Sequence, residues 1–378
     1  MKKFNVIMLL LDGLRLDRLY LCHNLSNILK KTYFFSNMIT AAPYTIASLH
    51  SVFSGLYPTK NGVNSYFNAN KFKKGICKTL TQYLHEDSYY TMANIIVDSV
   101  IPSQGFDAIS IHDEYKDDLV KLHKDIITDI AKKNKFFLFL HYTNIHTENI
   151  KNVAKKYTDF DEEYFKNYEL NKKNYNSYLK KMDLYVKEIF NHIKNSNLLG
   201  NTILVIFSDH GTSNGEKIGE RMYGSFTYDY TIKVFCSILM PNTKGKEIKF
   251  QTRIIDIMPT LLDISNIDVD DSYEHLQGSS LMPLMEGKEK KDRIAFSETG
   301  GLYGPWPSHH EHNVFCIRTP NTKLVFNKTP NTWEMYDLAK DPQEKKNTYK
   351  ENSKLAMKLK KILLEHIKSN QSQFKLKV

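Results

Sequence analysis

Four apolar runs stand out along the chain: FNVIMLLL at 4–11, KFFLFLHY at 135–142, NTILVIFS at 201–208 and IKVFCSILM at 232–240. They lack the strict alternation of a half-exposed strand and read as central strands of a parallel sheet, buried on both faces. KKTYFFSNMIT is a further β-like piece, and it leads into the helical pattern IASLHSVFSG. Between the strands lie helical periodicities near 76–87, at 175–197 and at 253–265. The one at 175–197 carries Tyr178, Met182, Tyr185, Val186, Ile189, Phe190 and Ile193 on a single stripe. Strands alternating with helices predict an α/β fold, a mostly parallel central sheet with helices on both faces. After about Asn266 the pattern changes to short β-like pieces at 293–298, 313–319, 322–327 and 332–338, closed by a Lys-rich helix at 353–369. The expected division is therefore a large α/β domain over 1–265 and a smaller C-terminal α+β subdomain with an antiparallel sheet over 266–378.

Composition adds limits. A chain of 378 residues is long for one compact core, which agrees with a large unit plus a small one. With 41% hydrophobic and 25% charged residues it is an ordinary folded protein and not a disordered one. The formal charge is +10, with much of the Lys in 116–195 and in the tail KSNQSQFKLKV. It reads first as a solvated basic face, and second as attraction to a phosphate-bearing substrate or to an anionic membrane surface at the protein's periphery. No basic–aromatic stacking motif or finger accompanies it, so nucleic acid is not an expected partner. Cys22, Cys77, Cys236 and Cys316 show no paired spacing and predict neither a disulfide framework nor a zinc framework. The N-terminus imitates a signal peptide, but Asp12 and Arg15 interrupt its apolar run and no small-residue cleavage site follows. No later run is long enough to cross a bilayer. These features predict a cytoplasmic protein.

In an open parallel sheet, ligands bind beyond the carboxyl ends of the strands. Reading those ends in order gives Asp12, then His141 followed by His146, then Asp209 and His210 side by side in SDHG. Two carboxylates and a histidine at one sheet edge suit a hard-to-borderline divalent metal, although each alone is as well explained as a helix cap or a core histidine. The stretch AAPYTIASLHSVFSGLYPTKNGV supplies hydroxyls at Thr45, Ser48, Ser51 and Ser54. Thr45 at a helix N-terminus reads either as an N-cap or as a metal-activated nucleophile.

The ordered set NVIMLLLDGLRLDRL, TIASLHSVFSGLYPTKNGV, NTILVIFSDHG and IIDIMPTLLDI resembles the sulfatase branch of the alkaline phosphatase superfamily. KTLTQYLHEDSYYT, LQGSSLMPLMEG and WEMYDLAKDPQEKKN extend the likeness over nearly the whole chain. The resemblance implies an alkaline phosphatase-like fold, with residues 1–265 as the catalytic domain. It places the nucleophile at Thr45, ten residues before Gly55. Ser48 takes the place of the Ser in the family's Cys/Ser-x-Pro-Ser-Arg motif. Asp12, Asp209 and His210, with Thr45, match the metal site, and His146 matches a histidine that contacts the transferred group. The sequence also departs from the pattern. Thr45, Ala47 and Leu49 stand where formylglycine sulfatases carry Cys or Ser, Pro and Arg, and threonine cannot become formylglycine. Gly13 replaces the second Asp of the usual pair. The usual downstream Lys is missing from GERMYGSFTYDYT, where Arg221 either supplies a positive charge or forms a surface salt bridge.

Those departures resemble the phosphodiesterases and the phosphoethanolamine or phosphoglycerol transferases of the superfamily. The expected activity is thus a metal-dependent hydrolase or transferase of a phosphate mono- or diester, proceeding through a phospho-Thr45 intermediate. His146, or alternatively His141, protonates the leaving oxygen. The alternative is a sulfatase acting on a sulfated sugar or small molecule. The donor set suits zinc or manganese, with calcium or magnesium next. The implied substrate is an anionic small-molecule, glycan or lipid-headgroup ester. His309, His310 and His312 in WPSHHEHN read as a solvated loop, a cover over the site, or ligands of a second metal.

Overall fold

A computed structural model describes residues 4–371, so most of the basic tail lies outside the described residues. The main sheet contains β1 (Asn5–Leu11), β2 (Tyr33–Ile39), β3 (Tyr90–Ile95), β4 (Ala108–Ile111), β5 (Phe136–Tyr142), β6 (Thr202–Phe207), β7 (Lys233–Leu239), β8 (Lys246–Ile248) and β9 (Thr252–Arg253). Its order is β4-β3-β5-β1-β6-β7-β2-β8, with β9 also paired to β2. The block from β4 to β6 is parallel throughout. β7 runs antiparallel to both β6 and β2, so the sheet is mixed at that side. The run at 232–240 was expected to be parallel. β3 and β4 carry no long apolar run and went unpredicted, because β4 is a half-exposed edge strand of only four residues.

Alternate residues of β1 point to opposite faces. Val6, Met8 and Leu10 pack with the helices Thr45–Ser54 and Ile257–Ser265. Ile7, Leu9 and Leu11 pack with the long helix Tyr168–Asn195, which buries Met182, Tyr185, Val186, Ile189, Phe190 and Ile193 of the predicted stripe. Both faces of the strand are covered, which is why its sequence does not alternate. Among the described residues no helix is long and apolar enough to cross a membrane.

β10 (Ala295–Thr299), β11 (Val314–Arg318), β12 (Thr322–Asn327) and β13 (Thr332–Asp337) form a separate antiparallel sheet, with the helix Lys354–Gln371 against it. This small sheet is tied to the large unit by a buried ionic cluster. Asp229, just before β7, meets Arg318 at 2.7 Å and Lys323 at 2.6 Å, and Lys323 meets Glu344 at 2.7 Å. Burial opposes the charge on Asp229, but the two cations hold its carboxyl far below the usual range. Removing one partner of such a cluster leaves a buried charge uncompensated. Asp229→Asn is therefore expected to destabilise the protein by about 3–5 kcal/mol in urea unfolding. A loss under about 1 kcal/mol would show that the cluster does not hold the two sheets together.

Candidate active site at the carboxyl edge of the sheet

β1 lies between β5 and β6, with Leu10 in register with both His141 and Phe207. That pairing brings Asp12, His141, Asp209 and His210 to one edge, all buried. The ligand-type atoms of Asp12, Asp209 and His210 lie within 4.8 Å of one another. Thr45 is the first residue of the helix Thr45–Ser54, whose leading amides have no partner inside the helix. Its Oγ1 sits 3.1 Å from His210 Nε2 and 3.4 Å from Asp12 Oδ2. Ser48 fixes this helix to the site: its hydroxyl donates to the Asp209 carbonyl at 3.0 Å and lies 2.9 Å from Thr40 Oγ1. Ser54 bonds the carbonyl of His50, and Ser51 is buried within the helix packing.

Gly13 explains one departure from the usual motif. Its φ of +70° is in the left-handed region, and a Cβ there would lie 3.1 Å from Thr212 Oγ1. This turn lets the Gly13 amide donate to Asp209 Oδ1 at 3.3 Å, while the Gly13 carbonyl accepts from Tyr175 and Thr212. An aspartate at this position would be strained.

The site is rich in acceptors. His210 donates Nδ1–H to the Gly211 carbonyl at 2.7 Å, so its Nε2 presents a lone pair to the cluster. That nitrogen lies 3.6 Å from Asp12 Oδ1 and 3.5 Å from Asp209 Oδ2. Both carboxylate oxygens are buried and have no hydrogen-bond partner. Burial opposes the charge on Asp12, yet the hydrogen bond from His141 (2.9 Å) and the nearby histidines hold it down to about 2. Burial pushes Asp209 up to about 6, with the Asp12 charge adding to the shift. Bare acceptors converging in a buried pocket fit a divalent cation, which would take Asp12, Asp209 and His210 as ligands with Thr45 alongside.

His146 lies on the following helix, Asn144–Asn149, with Nδ1 3.0 Å from the hydroxyl of Tyr223. Burial lowers its pKa. The Tyr223 ring also covers His210 at 4.5 Å between centroids. Tyr223 was not singled out from the sequence. The only signal was its place in the segment where the family's lysine is missing. His141 bonds Asp12 and is completely buried, which makes it a support for the carboxylate. Arg221 is not in the cluster. Its guanidinium bonds the Tyr157 carbonyl and lies 3.8 Å from Asp159, on the wall of an adjoining cleft. The 309–312 histidines are neither a solvated loop throughout nor, among the described residues, a metal group. The backbone carbonyls of His309 and His310 accept from Ser65 and Asn68, and buried His312 places Nε2 2.6 Å from the hydroxyl of Tyr44.

A family model described as Sulfatase matches residues 5–267, and one described as N-sulphoglucosamine sulphohydrolase, C-terminal, matches 221–372. N-acetylglucosamine-6-O-sulfatase of Bacteroides thetaiotaomicron is 28% identical over 200 residues, covering 51% of this chain and 34% of the relative. Delta 4,5-hexuronate-2-O-sulfatase of the same organism is 28% identical over 210 residues, covering 52% of this chain and 41% of the relative. The aligned stretches thus span well under half the length of these curated relatives. Among solved structures, a 2-O GAG sulfatase superposes with a TM-score of 0.82 at 19% identity, covering 98% of this chain and 93% of that one. A phosphonate monoester hydrolase of Agrobacterium radiobacter superposes with a TM-score of 0.76 at 16% identity, covering 97% and 96%. At these identities the superpositions show a shared fold. The expectation of phosphate-ester chemistry through phospho-Thr45 is overturned, because the curated relatives are named sulfatases, the two above for sulfated sugars. It rested on a few departures from the motif, at Thr45, Ala47, Leu49, Gly13 and the missing downstream lysine, while the match extends along most of the chain. The chain belongs to the sulfatase family.

Proposed function

We propose that this protein is a sulfuric ester hydrolase that removes sulfate from a sugar, with Thr45 as nucleophile. The observation that carries this reading is the placement of Thr45 Oγ1 beside Asp12 and His210 in a chain of this family. The methyl on its Cβ bars conversion to formylglycine, so the hydroxyl itself attacks sulfur. As the Thr45 oxygen–sulfur bond forms, the bond from sulfur to the sugar oxygen breaks. The Thr45 proton passes to Asp12 Oδ2, which faces it at 3.4 Å. The anionic sulfate of a bound substrate offsets the burial that lowers the His146 pKa, and the protonated ring, oriented by Tyr223, gives its proton to the leaving oxygen. Water then attacks sulfur and returns a proton to His146. The Thr45–sulfur bond breaks, Asp12 reprotonates Thr45, and hydrogensulfate leaves. A bound divalent cation supplies charge that lowers the hydroxyl's pKa and neutralises the sulfuryl oxygens. The imidazole donor and the loss of an oxygen ligand at Gly13 favour zinc or manganese over calcium.

Metal-loaded protein should release sulfate from a 6-O- or 2-O-sulfated sugar, measured by ion chromatography. Thr45→Ala should lower kcat at least about a thousandfold with little change in melting temperature. Near-normal turnover by that variant would exclude Thr45 as the nucleophile.

Cation binding should be visible without any substrate. At about a hundred times its Kd, zinc or manganese should stabilise the fold by about 2.7 kcal/mol. Asp209→Asn should abolish that gain while leaving the metal-free protein as stable or more so, because it relieves two facing carboxylates. A metal-free variant that is less stable than the parent would count against the acceptor crowding described above.

A further inference from the structure

A cleft opens at Tyr44, the residue before Thr45, and four tyrosines form part of its wall: Tyr44, Tyr66, Tyr223 and Tyr303. Each of these rings except Tyr303, which is 61% exposed at the rim, is held in place. Tyr44 is bonded to His312 and packs on Tyr66 with ring centroids 5.6 Å apart. Tyr223 is fixed between His146 and His210. The charged side chains in the lining are Arg221 and Asp159, which form an ion pair at 3.8 Å while the guanidinium also donates to the Tyr157 carbonyl. Asp159 Oδ1 also accepts the Arg221 amide at 3.0 Å, and the guanidinium lies 5.3 Å from the Tyr303 ring centroid. Both side chains are largely buried, with relative exposures of 14% and 8%.

This lining has a clear chemical preference. Fixed tyrosine rings offer flat apolar faces with hydroxyl edges, which suit the C–H face and hydroxyls of a pyranose. A second charge on that ring would lose its water against a cation that already has its anion, with no free counter-charge to replace the hydration. The sulfate to be cleaved would be met by the cation that Asp12, Asp209 and His210 would hold.

Building on the sulfatase reading, we propose that this cleft selects a sugar ring that is uncharged apart from the sulfate being removed, a neutral hexose or N-acetylhexosamine. Arg221 and Asp159 are specificity-determining residues that exclude rings bearing an additional carboxylate or sulfate. The assignment concerns the ring inside the cleft, whatever chain it belongs to.

The test uses two probes, N-acetylglucosamine 6-sulfate and glucosamine N,6-disulfate. Their binding is measured by calorimetry on the full chain carrying Thr45→Ala, and their turnover on the parent protein. The monosulfated sugar should bind at least tenfold more tightly, and Tyr303→Ala should weaken it several-fold. Asp159→Asn keeps an acceptor for the Arg221 amide but removes the charge, freeing the guanidinium. It should move the binding ratio at least tenfold towards the disulfated sugar, a change that loss of packing would not produce. Equal or tighter binding of the disulfated sugar by the parent cleft, or an unchanged ratio in Asp159→Asn, overturns the proposal. Binding with the expected ratio but no sulfate released from either probe would overturn the sulfatase reading and leave the cleft's selectivity standing.

Discussion

Acceptor atoms without donors, buried together where β1 and β6 end, are the constraint around which this molecule is arranged. Asp12 Oδ1 and Asp209 Oδ2 face His210 Nε2 and accept no hydrogen bond from the protein. Bringing ionised groups out of water without partners is among the costliest things a fold can do. The surrounding structure nevertheless makes the arrangement rigid. The Gly13 and His210 amides hold Asp209, His141 holds Asp12, and the Gly211 carbonyl fixes the His210 ring. Such a preorganised cluster is what a cation site in a hydrolase requires.

The small antiparallel sheet contributes more than a lid's worth of surface. From β10, Glu298 accepts both the amide and the hydroxyl of Thr59, at 2.6 and 2.5 Å, just beyond the helix that begins with Thr45. His312 reaches Tyr44, the residue immediately before Thr45. The Asp229, Arg318, Lys323 and Glu344 cluster anchors the same sheet at its other side. The helix that begins with Thr45 is thus tied to the large unit through its own Ser48, which bonds Asp209 and Thr40, and to the small sheet by residues near both its ends. The C-terminal residues therefore help to position Thr45.

Much of this was legible in the chain. The unbroken apolar runs of β1, β5 and β6 identified a parallel sheet, because strands covered on both faces have no reason to alternate. Asp12, Asp209, His210 and Thr45 were legible because functional side chains in such sheets follow strand ends or open helices. β3 and β4 were not: β4 is a short, half-exposed edge strand, and β3 beside it mixes polar and apolar residues without a long apolar run. The direction of β7 also escaped notice, because an apolar run records burial and not which way its neighbours point. The preference for phosphorus was drawn from a handful of substituted motif positions, and a tetrahedral anion can be bound by the same donors whether its centre is phosphorus or sulfur.

The sequence by itself determined the fold class, the family and the ordered appearance of the reactive residues. These depend on local burial patterns and on motifs of neighbouring residues, both of which are written along the chain. Tertiary structure alone decided that Tyr223 completes the site, that His312 supports Tyr44, and that Arg221 is bound to Asp159 in the adjoining cleft. These contacts join segments 62 to 268 residues apart. Their meaning lies in distances and in which charge is already paired, and a linear pattern carries neither.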